Sequence, residues 1–281
     1  MTARTLARHA AAIETAFLAA CDDELAALKP GNVHRHADGH RMTVADFERS
    51  AAAAAPAIAL AGAPVGERIL AAVEATREAV GTNTNLGIVL LCAPLAAASD
   101  TPARRDLRDR LASVLVHLTV ADADAAFRAI RIAAPAGLGR AAEHDVAAPA
   151  MVDLGEAMAA AADRDSIARQ YATSFADVFE ALAVFRAADA ALEDRAAATT
   201  LLHLVLLAAM PDSHVARKHG TAAAEALRAE AEDMLRLVGT DPRPHEAALL
   251  AFDAELKRRG VNPGTTADFV VATLFADRLD G

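Results

Sequence analysis

Alanine constrains more than any other residue what this chain can fold into. It supplies much of a hydrophobic content of 54%, while aromatic residues make up only 4%. Alanine is the strongest helix former, whereas strands favour aromatic and β-branched residues, so local preference points to helix almost everywhere. A chain of 281 residues with this apolar content can bury one sizeable core. The expectation is an all-α fold: a single all-helical domain over residues 1–281, built as a bundle of about ten helices.

Apolar residues recur at helical spacing over residues 6–28, through Ile13, Phe17, Leu18 and Leu25, until Pro30-Gly31 stops the helix. Thr43, with Asp46 three residues on, reads as an N-cap with an acidic first turn. The helix it opens runs through Phe47 toward Leu60, and Pro56 should kink it or end it early. Residues 65–80 form a third helix leading into Gly81-Thr82-Asn83-Thr84-Asn85, a run of turn and capping residues ahead of the apolar stretch 86–98. Further helices are expected at residues 102–118, 121–132, 174–190, 194–210, 221–238, 244–259 and 266–279. The longest irregular piece, residues 134–152, carries Pro135, Gly137, Gly139 and Pro149 around Glu143-His144-Asp145. Ordered loops of that length in compact domains are often functional.

A net charge of -10 argues against broad binding to a polyanion such as DNA, which needs an extended basic surface. Any phosphate site must therefore be a local basic pocket, and Lys29, His34, Arg35, His36, His40 and Arg41 are concentrated in one short stretch. Cys21 and Cys92 lie far apart with no CxxC pair, and the N-terminus does not resemble a signal peptide, so the cytoplasm is the expected compartment. The most apolar run, residues 196–210, contains His203 and falls short of the ~20 residues of a spanning helix. It is expected to be a buried core helix, with no membrane contact, and His203 a hydrogen-bonded core histidine.

Four segments carry chemistry-bearing residues, each with a plainer alternative. Lys29-Pro30-Gly31-Asn32-Val33-His34-Arg35-His36 joins cations to free backbone N–H groups in a stiff turn, either a phosphate cradle or a solvated connection between helices. Gly81 to Gly87 can offer hydroxyls, amides and orphan N–H groups to one ligand, or serve as an elaborate N-cap; it lacks the Gly-Lys-Ser/Thr ending of a Walker loop. Asp212, His214, Arg217, Lys218 and His219 combine one carboxylate with two cations and two imidazoles, suiting a Mg²⁺ ligand or general base beside phosphate, or a capped basic turn. Asn262 to Asp268 reads as a turn with Thr265 or Thr266 as N-cap and Asp268 in the first helical turn. His144-Asp145 suggests an HD-type metal phosphohydrolase, although chance alone accounts for one such dipeptide in a chain with 10 histidines.

Taken in order, the Lys29-Pro30-Gly31-Asn32-Val33-x-Arg35-His36 loop with Glu24 upstream, Asp46-Phe47-x-x-Ser50-Ala51, Asn83-Thr84, Asp212 with Arg217, and Pro263-Gly264-x-x-Ala267-Asp268 resemble the triphosphoribosyl-dephospho-CoA synthases over nearly the whole chain. The resemblance implies an all-α enzyme that moves the triphosphoribosyl part of ATP onto the 2′-hydroxyl of dephospho-CoA and releases adenine, for an acyl-carrier prosthetic group. It further implies that Lys29, Arg35, Arg217 and Lys218 hold phosphates, with Gly31, Asn32, His36 and His219 beside them, and that Asn83, Thr84 and Asn85 orient ribose or base. Glu24, Asp212 and Asp268 would divide the roles of base and Mg²⁺ ligand, Glu24 and Asp212 being the metal candidates, and the choice among the three stays open. The resemblance leaves room for a homodimer.

Departures from the family pattern are Asn85, where a basic residue follows Asn-Thr, and Lys218-His219-Gly220 in place of Arg-Gly-Gly. They point to a divergent branch with a related acceptor. The competing functions are a metal-dependent nucleotide phosphohydrolase on a helical scaffold and a non-catalytic nucleotide-binding homologue linked to one-carbon cofactor biosynthesis.

Overall fold

Polar side chains that accept hydrogen bonds from first-turn N–H groups start most of the helices in the computed structural model, which describes residues 3–39, 42–100, 106–135 and 137–280. Helix α1 (Ala3–Ala26) is followed by α2 (Val44–Ile58), opened by a reciprocal capping box between Thr43 and Asp46. Pro56 sits in the last turn of α2, which stops two residues later, short of Leu60. Helix α3 (Val65–Val80) ends at Gly81, whose left-handed backbone (φ 73°) closes the C-terminus. The chain then runs through α4 (Leu86–Ser99), α5 (Leu107–Leu115), α6 (Val120–Ala133), α7 (Leu154–Ala159) and α8 (Ser166–Ala172). Helices α9 (Ala176–Leu192), α10 (Arg195–Ala209), α11 (Ser213–His219), α12 (Thr221–Val238), α13 (Glu246–Arg258) and α14 (Gly264–Asp280) complete the bundle.

The fold is all-α, with fourteen α-helices among the described residues rather than about ten. The additional ones are short: α7, α8 and α11 have 6, 7 and 7 residues, too few turns to display a periodic apolar face. The helix expected from residue 102 begins at Leu107 with Asp106 as N-cap; residues 101–105 lie outside the described residues.

Helix α4 is apolar all round, and every residue but one of its 14 is buried, as expected of a helix in the centre of a bundle. It packs against α3, α5 and α14, and α14 in turn against α1, α9 and α10. Two central helices therefore run through one large apolar core, with a smaller one around Leu207, Leu227 and Leu256. Helix α10 is the apolar run foreseen as a core helix, and most of its residues are buried, His203 included. Among the described residues no single helix is long and apolar enough to cross a membrane; α10 and α11 reach that length only as a pair bent by 55°.

Candidate active site

The first turns of α4 and α14 both come to the surface of one cavity of about 620 Å³, in the size range of small-molecule sites. Its lining has two characters. Along α6, α7 and the loop of residues 134–146 it is apolar, with Phe127, Ile130, Pro135, Leu138, Val146 and Met158. Along the turn before α4, along α11 and at the start of α14 it is polar, with Asn83, Thr84, His214, Arg217, Thr265 and Asp268. First-turn N–H groups have no partners within their own helix, so two long helices, of 14 and 17 residues, direct their positive ends at this space. Arg77, Arg140 and Arg164 are exposed at its rim.

Asp268 is the carboxyl group most altered by this setting. Burial pushes it well above the usual carboxylate range, the negative charges of Asp212, Glu24 and Asp165 push in the same direction, and Arg217 opposes them. Its carboxylate rests on Gly87 in the first turn of α4, in the space a β-carbon at position 87 would fill. Gly87 is thus required by close approach. Gly87→Ala is expected to displace the carboxylate and lower turnover by roughly 10²-fold with little change in substrate affinity; steady-state kinetics beside a thermal melt would check this.

Glu24, at the end of α1, also lines the cavity and is ion-paired with Lys29. Burial draws both groups toward their neutral forms, the carboxyl upward and the ammonium downward, and each partner's charge resists. Lys29 is fully buried and donates to Glu24, to Asn32 Oδ1 (3.1 Å) and to the Val33 carbonyl (2.7 Å). In this structure the lysine expected to hold phosphate instead holds its own loop together. Gly31, at φ 84°, donates its N–H to Asp253 Oδ1 (2.8 Å), and Asn32 Nδ2 donates to Asn262 Oδ1 (2.9 Å). Asp253 also receives Lys257 at 3.0 Å and lies 3.4 Å from His34 Nε2. Only Glu24 and Asn32 of this segment reach the cavity wall. Arg35 is turned to Asp22 and Glu48 on the surface, His36 is exposed against His34, and His40 and Arg41 lie outside the described residues.

Asp212 is not on the cavity wall. One carboxylate oxygen accepts from Val215 N (2.9 Å) at the start of α11, and the other accepts from Thr266 N (2.7 Å) and Thr266 Oγ1 (2.8 Å) in the first turn of α14. It therefore caps two helices at once from a buried position behind the cavity wall, and not from the wall itself, where a metal ligand or base was expected. Helix α14 starts at Gly264, one residue earlier than the threonines expected to cap it, because this cap comes from Asp212 instead. Burial raises the Asp212 carboxyl, and these hydrogen bonds oppose the rise.

Asn83 Oδ1 accepts from Leu86 N (3.1 Å), and Thr84 Oγ1 lies 2.5 Å from Ser50 Oγ. Asn85 is buried behind them and donates to Thr76 Oγ1 (3.1 Å), so of the expected trio only Asn83 and Thr84 line the cavity. Arg217 lines it and donates to Asp165 Oδ2 (2.6 Å), while Lys218 and His219 are exposed and outside it, His219 Nε2 lying 3.1 Å from the Gly260 carbonyl. The Asp145 carboxylate accepts from Ala141 N (2.7 Å) and Ala147 N (2.8 Å), a loop-building role and not that of an HD metal ligand. Among the described residues no group of three or more His, Cys, Asp or Glu stands ready to hold a metal ion. His203 is pushed down to about 3, first by burial and then by the charge of Lys29, with Nε2 at 3.4 Å from the Pro30 carbonyl, so it is a neutral core histidine.

The sequence matches the profile of the CitG family, ATP:dephospho-CoA triphosphoribosyl transferase, over residues 10–281. The chain belongs to this family. Among solved structures it resembles a crystal structure from Archaeoglobus fulgidus that carries the provisional name triphosphoribosyl-dephospho-CoA synthase, with a TM-score of 0.66 and 26% identity over 83% of this chain and 98% of that one. No curated protein sequence matches.

In this CitG-family transferase, five of the expected site residues share the cavity with Glu24: Asn32, Asn83, Thr84, Arg217 and Asp268. Sequence reasoning missed Arg77, Arg140, Arg164 and Asp165, while His214 belongs to the segment of residues 212–220 that it singled out. Arg140 was within reach, because it sits in the irregular segment singled out as a functional loop. Arg164 and Asp165 precede a helix of only 7 residues, and nothing in their spacing separates them from other exposed charges.

Proposed function

We propose that this cavity is where the triphosphoribosyl group of ATP is moved onto the ribose 2′-hydroxyl of dephospho-CoA, with Asp268 as the base. The observation that carries the reading is the Asp268 carboxyl, raised by burial at the polar wall of a cavity whose other wall is apolar. A nucleotide has the same two characters, a charged phosphate chain and a flat apolar base. The starts of α4 and α14, with Arg217 and the rim arginines, suit the triphosphate. Asn83 and Thr84, fixed by Leu86 N and Ser50, suit the ribose hydroxyls.

The reaction joins the acceptor oxygen to C1′ of the ATP ribose and breaks the bond from C1′ to adenine. Asp268 takes the hydroxyl proton as the new bond forms; a carboxyl group raised toward neutrality is better matched to that task than an ordinary one. Positive charge builds on the ribose in the transition state, and the acidic side chains of Glu24 and Asp165, which line the same cavity, favour it. Lys29, ion-paired with Glu24, opposes the rise that burial imposes on its carboxyl. Mg²⁺ bound with ATP would neutralise phosphate charge. Glu24 fits as its protein ligand, since Mg²⁺ commonly takes one or two carboxylates and completes its shell with substrate phosphates and water. The cytoplasm, where Cys21 and Cys92 stay as the buried free thiols seen here, is the compartment this reading requires.

The test is product analysis. Purified protein with ATP, Mg²⁺ and dephospho-CoA is expected to release adenine and form a triphosphoribosyl adduct in equal amounts, both stopped by a chelator. Phosphate release with the glycosidic bond intact would support a phosphohydrolase instead. ATP binding without turnover on any acceptor would support a binding homologue.

A further inference from the structure

We propose that His144 is the catalytic acid that protonates adenine as it leaves. This rests on the transfer reaction proposed above, which supplies a base for the attacking hydroxyl and leaves the departing purine without a proton donor. His144 lines the cavity from the loop of residues 134–146, the apolar side on which a purine fits. Its own loop supplies Leu138 and Val146 to that wall, and the Arg131 guanidinium holds the Val146 carbonyl beside the end of α6, where Ile130 lines the same space.

The backbone at His144 is left-handed, with φ 48°, a conformation that residues bearing a β-carbon seldom adopt. Neighbouring contacts impose it. The Asp145 carboxylate gathers Ala141 N and Ala147 N, Ala148 N donates to the Asp145 carbonyl (3.0 Å), and Arg131 fixes Val146. Farther back, Gly137 (φ 74°) lies on α11 so closely that a β-carbon there would come within 2.8 Å of the Arg217 carbonyl oxygen. A loop this firmly tied at both ends holds one imidazole at a fixed place on the cavity wall, and strain of this kind gathers at functional sites. The other imidazole on the wall, His214, belongs to the joint between α11 and α14, with its backbone N–H on Thr265 Oγ1 at 3.1 Å and its ring beside Gly264.

The step balances as follows. The acceptor oxygen bonds to C1′, the bond from C1′ to N9 breaks, and its electron pair passes into the purine. The hydroxyl proton goes to Asp268 while the His144 imidazolium gives a proton to N7, so adenine leaves neutral. Water returns Asp268 and His144 to their starting states.

His144→Asn removes the titratable proton and keeps a side chain that adopts a left-handed backbone readily. The expected result is a fall in kcat for adenine release of roughly 10²-fold, little change in KM for ATP, and loss of the alkaline limb of the pH profile. With 7-deaza-ATP, which has no N7 to protonate, wild type and variant should be equally slow. His144→Gly, which also preserves the loop, should regain activity when imidazole is added. A His144→Asn enzyme with wild-type kcat and an unchanged alkaline limb overturns the inference, as does a slow variant whose limb persists and whose glycine counterpart imidazole does not rescue. Absence of adenine from the wild type itself is a different result, since it removes the reaction and this inference together.

Discussion

Asp268→Asn is expected to lower adenine release by roughly 10²–10⁴-fold while leaving the melting temperature at or above that of the wild type. The two halves of that result come from the same fact. Burial and the neighbouring carboxylates make ionisation of Asp268 costly, so the protein is most comfortable when this group is neutral, and an amide of equal size relieves that cost. Catalysis needs the opposite state, because only the ionised form accepts a proton. Activity of the wild type should therefore fall as pH drops through the raised value, at a higher pH than an ordinary aspartate would give, and the variant should lack this acidic limb. The sign for stability is reversed. The folded protein holds this proton more tightly than the unfolded chain, so its contribution declines as pH rises from the ordinary aspartate value through the raised one. Rate profiles and denaturant titrations of both proteins across pH would measure the two effects separately.

Asp212→Ala, by contrast, is expected to cost roughly 3–5 kcal/mol of folding stability. Each N-cap contributes about 1 kcal/mol, and a buried donor left without an acceptor costs about 1–3 kcal/mol more. Asp212 is 2% exposed and serves the first turns of both α11 and α14, so its loss affects Val215 N, Thr266 N and Thr266 Oγ1 together. Asp212→Asn keeps an acceptor for one of the two helices and should lose less. Denaturant unfolding at neutral pH would measure both. An alanine variant with unchanged stability and no turnover would contradict the capping account and return Asp212 to the mechanism.

The fold was largely legible because its local signals agree. The Thr43 and Asp46 box, the Gly81 stop and the all-round apolar stretch after Asn85 each say the same thing as the apolar periodicity around them. The short helices escaped for want of turns. The site was legible in part: Asn83, Thr84, Arg217 and Asp268 come to one cavity, with Asn83 and Thr84 in the turn before α4 and Asp268 near the start of α14. Lys29 and Asp212 were misjudged for a common reason. A charged residue beside a turn looks solvent-facing in sequence, and only the fold reveals that Glu24 meets the one and two helix starts meet the other. Arg77 and Arg164 come to the rim through helix packing alone, which leaves no trace in spacing. His144 carried a signal of the wrong kind, since its pairing with Asp145 suggested a metal, whereas Asp145 builds the loop and His144 faces the cavity.

The join between the two Pro-Gly turns bears on how the protein is made. Asn32 is hydrogen-bonded to Asn262, Gly31 to Asp253, and α1 packs along α14, so elements more than 200 residues apart in sequence are locked face to face. During synthesis the N-terminal helices emerge long before their partners, carrying Lys29 and Glu24 destined for burial and a central α4 with no α14 beside it. Contacts so distant along the chain form late. The cavity, walled by the first turns of both α4 and α14, therefore takes shape only once α14 has emerged to pack beside α4.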